Sequence, residues 1–129
     1  MKRSIRTITA LTMVAVFVTF SMQALAATYQ GIDTSKWQPN YDFSQAAADG
    51  VKVAFLRSSL AENTKDASFS RHYEKAKEAG LLVGAYHFLY DGNGYTIDKN
   101  VDNAVEAVQG KTFDCRYVID MESEGLRAE

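Results

Sequence analysis

AKEAGLLVGAYHF, residues 76 to 88, decides the fold, because a helical stretch gives way at one glycine to a nearly continuous apolar run. Upstream, Ala67 to Ala79 places Phe69, Tyr73 and Ala76 at i, i+4 and i+7, which puts three side chains on one helical face. Gly80 supplies a left-handed stop with no Cβ to obstruct it. Leu81 to Phe88 is the strand that follows, apolar on both faces, as expected where helices cover one side and a packed interior the other. Helix followed by buried strand is the repeating unit of parallel α/β proteins.

The same unit recurs on either side. Tyr29 to Asp33, Val51 to Ser58 and Arg116 to Glu122 read as three further strands, so Leu81 to Phe88 is the third of four. Phe43 to Ala48 reads as a short helix. Ile97 to Val108 reads as a longer one, with Ile97, Val101, Ala104, Val105 and Val108 along one face and Gly110 after it. These apolar stripes are expected to face the core, and His72, on the second helix, is expected to be solvated. Asp91-Gly92-Asn93-Gly94 is turn chemistry after the third strand, and no Gly-x-Gly-x-x-Gly pattern follows any strand. The fold class is α/β, with a parallel sheet that is either part of a barrel or doubly wound, and residues 27 to 129 form one unit.

Polar residues gather where each strand runs out: Asp33 after the first, Arg57 near the end of the second, Tyr86 and His87 in the third, Asp120 and Glu122 in the fourth. In parallel α/β architectures the carboxyl ends of the strands converge on one face, where ligands and catalytic groups lie. Asp120 and Glu122 are two residues apart, so on a strand both project to one side, about 7 Å apart at Cα, with Met121 directed the other way. Crowded carboxylates repel, which keeps one protonated near neutrality, as a general acid requires. Each residue also has a plainer reading. Asp33 fits a turn or cap, and Trp37 and Tyr41 serve equally as sugar-stacking rings or packing plugs. His87 fits a hydrogen-bonded structural histidine better than a base. Arg57, if it paired with the carboxylates, would oppose the acid role.

GIDTSKWQ at 31 to 38, AFLRSS at 54 to 59, AKEAGLLVGAYHF at 76 to 88 and VIDMES at 118 to 123 together resemble the family 25 glycoside hydrolases, lysozymes of the N-acetylmuramidase type. The resemblance implies a TIM-like barrel and hydrolysis of the β-1,4 bond between N-acetylmuramic acid and N-acetylglucosamine in peptidoglycan. It makes Glu122 the catalytic acid, Asp120 the companion carboxylate and Asp33 the carboxylate of the first strand. Tyr86, Arg57 and Trp37 become substrate-binding residues. It leaves open whether Asp120 is a nucleophile or steadies a substrate 2-acetamido group that attacks its own anomeric carbon, and we favour substrate assistance. A barrel of this type has about eight strands. Four βα units are readable here, so the expectation is a truncated, N-terminal half barrel. An active muramidase, a secreted non-catalytic peptidoglycan-binding module and an inactive truncation product all stay open. Open sheet edges would favour self-association.

The beginning of the chain bounds where it acts. Lys2, Arg3 and Arg6 precede an apolar run from Ile8 to Phe20, and Ala24-Leu25-Ala26 has the small-x-small pattern of a cleavage site, so residues 1 to 26 read as a secretory signal peptide. The run is short for a bilayer span, which needs ~20 apolar residues, so no stable membrane span is expected after cleavage. Without Lys2, Arg3 and Arg6, 11 basic residues face 16 acidic ones, a net charge of −5. Nucleic acid is thereby disfavoured as a partner. Cys115 is the single cysteine, which rules out an intramolecular disulfide and reads as a packed thiol. With two histidines and no close ligand spacing, neither a metal site nor a cofactor is expected. A cytosolic flavodoxin-like protein is the alternative at the level of fold, and the export signal argues against it.

Overall fold

The computed structural model describes residues 28–90 and 94–122. The signal segment, the Asp91 to Asn93 part of the glycine-containing loop and residues 123–129 lie outside the described residues.

Four parallel strands form the sheet in the order β1 (Gly31–Thr34), β2 (Val53–Leu60), β4 (Leu82–Leu89), β5 (Val118–Met121), and a short β3 (Thr64–Lys65) pairs antiparallel with β2. Three helices connect them: α1 (Phe43–Ala48), α2 (Phe69–Glu78) and α3 (Ile97–Ala107). All four expected strands form, each displaced by one or two residues, and α1 has the expected bounds. β3 was not anticipated; two residues are too few to carry a periodicity.

Local chemistry sets the helix ends. Asp42 caps α1 by accepting from Gln45 N at 2.9 Å. Before α2 the cap is indirect: Asp66 Oδ1 accepts from Ser68 N at 2.9 Å, an Asx turn that aims the chain into the helix. Gly80, at φ +74°, ends α2 as expected.

One face of the sheet is sealed. Ala54, Leu56, Val83 and Ala85 are fully buried and pack with Phe43, Ala46, Phe69 and Ala76 from α1 and α2. Removing one such side chain, as in Leu56→Ala, costs about 2–5 kcal/mol. The other face begins at the register row Asp33, Phe55, Gly84 and continues through Arg57, Tyr86, Val118. A Cβ on Gly84 would sit 2.5 Å from the Phe55 ring, so glycine is what lets that ring lie against β4.

Two sequence expectations are corrected. His72 is 1% exposed, not solvated: Phe69, His72 and Ala76 form the inward face of α2, while Tyr73 sits on its flank. The Nδ1 of His72 lies 3.2 Å from Thr34 Oγ1, and its ring meets Phe43 edge-on. In α3 the apolar stripe does not face the core. Ile97, Val101 and Val105 are 46–57% exposed, and Asn100, Asn103 and Ala104 are buried in their place. The reason is hydrogen bonding. Asn103 Nδ2 donates to the carbonyls of Leu60, Ala61 and Thr64 where β2 turns into β3, carbonyls that no apolar side chain could satisfy.

Candidate active site

The carboxyl ends of the strands border an open cleft of about 640 Å³, lined by Asp33, Phe55, Tyr86, Asp120 and Glu122 with Val118, Ile119 and Met121. Four of the residues singled out in the sequence, Asp33, Tyr86, Asp120 and Glu122, therefore meet at one place. β5 is the sheet edge, and residues of both parities on it border the cleft, Met121 included, although alternation alone directs Met121 away.

Tyr86 donates its phenolic hydrogen to Asp33 Oδ1 at 2.9 Å, reaching from β4 across β2 to β1. Burial pushes the Tyr86 phenol well above its ordinary value, and the bond to the Asp33 carboxylate and the nearby negative charge of Asp120 push it the same way. The phenol is therefore a fixed proton donor to Asp33 throughout neutral pH. Glu122 is exposed at the end of β5, where solvent and a polymer can both reach it.

Arg57 pairs with Tyr86 in the register but turns its guanidinium to Asp66, with Nε and Nη2 each 2.8 Å from Oδ2. Only the Nε contact has hydrogen-bond geometry, since Nη2 is buried without a hydrogen-bond partner. The pair is a buried one, and Asp66 is saturated further by the backbone N–H groups of Lys36 and Ser68. Arg57 thus braces the loop after β1 beside the cleft and is not among the residues that line it. Trp37 stands outside the lining as well, 73% exposed, with Lys36 Nζ 4.9 Å from its ring.

Two contributors escaped the sequence reading. Asp66 carried a signal, since Asp-x-Ser before a helix is an Asx-turn pattern, but nothing local marked Arg57 as its partner. The second is a buried chain in which Ser59 Oγ lies 2.9 Å from His87 Nδ1 and Asn100 Oδ1 3.1 Å from His87 Nε2. Asn100 donates through its amide nitrogen to Tyr90 O and Thr96 O, so its oxygen accepts from His87 Nε2–H and the Ser59 hydroxyl donates to Nδ1. Both lone-pair positions of that imidazole are used inside the fold, away from the cleft. Among the described residues no cluster of three or more His, Cys, Asp or Glu side chains is arranged to hold a metal ion, and no helix is long and apolar enough to cross a membrane.

Comparison with known proteins agrees with this geometry. The autolytic lysozyme of Clostridium acetobutylicum is 30% identical over 93 residues, covering 72% of this chain and 28% of that protein. Lysozyme M1 of Streptomyces globisporus is 41% identical over 59 residues, 46% of this chain and 20% of its own. Among solved structures, a muramidase from Acremonium alcalophilum superposes with a TM-score of 0.57 at 29% identity, covering 61% of this chain and 38% of that one. A family 25 glycosyl hydrolase from Bacillus anthracis gives 0.63 at 23% identity, covering 78% and 47%, which speaks to the fold alone. The chain spans less than half the length of each of these relatives. The sequence description of Glycosyl hydrolases family 25 matches residues 32–129, and the chain belongs to that family.

Proposed function

We propose that the chain is the part of a peptidoglycan hydrolase that carries the acid and its companion carboxylates, an N-acetylmuramidase acting on the β-1,4 bond from N-acetylmuramic acid to N-acetylglucosamine. The observation that carries this reading is the convergence of Asp33, Asp120 and Glu122 on one cleft, with the Tyr86 phenol donating to Asp33. Glu122 is the general acid, protonating the glycosidic oxygen as the bond breaks. The oxocarbenium-like charge that develops at the anomeric carbon is stabilised by the carboxylates beside it. Asp120 orients the substrate 2-acetamido group, whose oxygen attacks the anomeric carbon; water then opens that intermediate with retention. Asp33, held by Tyr86, adds fixed negative charge on the far wall.

Export through residues 1 to 26 and action at the cell wall belong to the same proposal, supported by the basic, apolar and small-residue succession at the start of the chain. Self-association is also proposed, through β1 and β5, which stand at the ends of the strand order and leave one edge each unpaired among the described residues. Sedimentation showing a monomer at micromolar concentration would count against it.

Glu122→Gln tests the central claim. The amide cannot deliver a proton, so release of reducing ends from purified peptidoglycan should fall by at least about a hundredfold while the thermal midpoint stays unchanged. Unchanged release removes Glu122 from the mechanism. Binding to the wall without any release by the unaltered chain would make it a sugar-binding module.

A further inference from the structure

We infer that Tyr90, with Tyr95 packed against it, is a sugar-stacking platform on the β4 side of the cleft, and that Asn100 is its positioning residue. The inference rests on the glycan-hydrolase reading above, since it names a substrate contact of that same site.

The placement follows from register. Leu89 pairs with Met121 in parallel, so one residue further on Tyr90 comes level with Glu122, about 5 Å away along the backbone of the neighbouring strand. Tyr90 is 41% exposed there, and its ring meets that of Tyr95 at 5.8 Å and 66°. A tyrosine that filled the core would not be left this open, and one that served solubility would not need a second ring to fix its angle. An aromatic face in that position matches the apolar C–H face of a pyranose, with the phenol free to bond a sugar hydroxyl.

The support beneath it is specific. Asn100 is fully buried and spends its amide on Tyr90 twice: Nδ2 donates to Tyr90 O at 3.2 Å, and Oδ1 accepts from Tyr90 N at 3.4 Å. The same oxygen is anchored by His87, itself held by Ser59. A buried amide costs free energy unless every polar atom is satisfied, and here that satisfaction converges on the backbone of the exposed tyrosine. Trp37 projects at the opposite end, after β1. Two strand spacings separate β1 from β4, roughly 10 Å, so the carboxylate row lies between two aromatic surfaces, as a polysaccharide threading the cleft would require.

The test uses the full 129-residue chain with purified peptidoglycan as the probe, following both co-sedimentation and initial rates of reducing-end release. Tyr90→Ala should raise KM and the half-saturation of binding about fivefold and leave kcat within about twofold, while Tyr90→Phe restores KM. Asn100→Ala should shift KM in the same direction with the Glu122-dependent pH profile of kcat unmoved. Unchanged KM and unchanged binding in Tyr90→Ala overturn the platform, whatever Asn100→Ala does to folding. Activity that survives Glu122→Gln overturns the hydrolase mechanism separately, because that variant leaves Tyr90 in place. Absence of both binding and release in the unaltered chain overturns the two together.

Discussion

The phenol of Tyr86 and the carboxylate of Asp33 are joined at 2.9 Å although their strands are not neighbours, with β2 and its Phe55 ring lying between them. Such a bond fixes the width of the cleft at its floor. Tyr86→Phe keeps the ring and removes the donor, leaving a carboxylate with one partner fewer. Turnover on peptidoglycan should drop by about tenfold or more, the worth of one hydrogen bond to a charged group, with little loss of stability. Because the phenol is pushed upward, activity should show no alkaline limb from Tyr86 ionisation below about pH 10, its ordinary value. A limb that disappears in Tyr86→Phe would contradict the assignment.

The Arg57–Asp66 pair predicts a larger effect on folding. The Asp66 side chain is fully buried and Arg57 is 10% exposed, so Asp66→Asn strands a guanidinium that water cannot reach. Breaking one side of a buried pair costs about 3–5 kcal/mol, readable as a shift of the urea midpoint. A change under about 1 kcal/mol would mean that Arg57 finds another partner, the cleft carboxylates being the nearest choice.

Stability should also depend on pH between 5 and 7. Burial lowers the pKa of both His72 and His87, against smaller opposing contributions from the Pro39 carbonyl and from Asn100 respectively. Below the ordinary imidazole value of about 6.5 the unfolded chain takes up protons that the folded chain refuses, so stability is full above that pH and declines as pH falls beneath it. The thermal midpoint should follow this course, and the decline should flatten in His72→Asn and again in His87→Gln. An identical slope in the double variant would exclude both histidines as its source.

Gly84→Ala couples the core to the cleft. The added methyl would meet the Phe55 ring at 2.5 Å, and that ring must swing toward the space it lines. A stability loss of about 1–3 kcal/mol together with weaker peptidoglycan binding is expected. Loss of stability with unchanged binding would show that Phe55 moves away from the cleft instead.

The sequence was most legible where one period dominated. Leu81 to Phe88 could only be a buried strand, and the carboxyl-end residues Asp33, Tyr86, Asp120 and Glu122 fell on one cleft because parallel strands share a direction. It misled where two faces of a helix competed. In α3 the valines outweigh the asparagines by hydropathy, yet the asparagines are inside, since strand-end carbonyls need donors and hydropathy does not count donors. His72 was misplaced for a related reason: its partner Thr34 is 38 residues away, and no local pattern reports such a distance. Arg57 was correctly placed beside the cleft, but its partner Asp66 depended on how the β2–β3 turn doubles back, which a two-residue strand leaves unwritten.

The pairing of β2 with β4 skips Ser58: Arg57 opposes Tyr86, and the next matched pair is Ser59 with His87. One additional residue is therefore stored in the middle of the central strand, a bulge that lets Arg57 turn toward the loop after β1 while Ser59 still meets the imidazole. Its consequence is a sharp asymmetry in how the gene tolerates length changes. Residues can be added to or removed from surface loops at small cost, but excision of Ser58 would make the ladder regular and rotate everything after Arg57 by half a turn. Ser59 would then lose His87, and the alignment of Leu60 with Asn103 would go with it. A codon deletion here is expected to be far more damaging than any single substitution of Ser58, which makes the length of this strand, more than the identity of its residues, the inherited quantity.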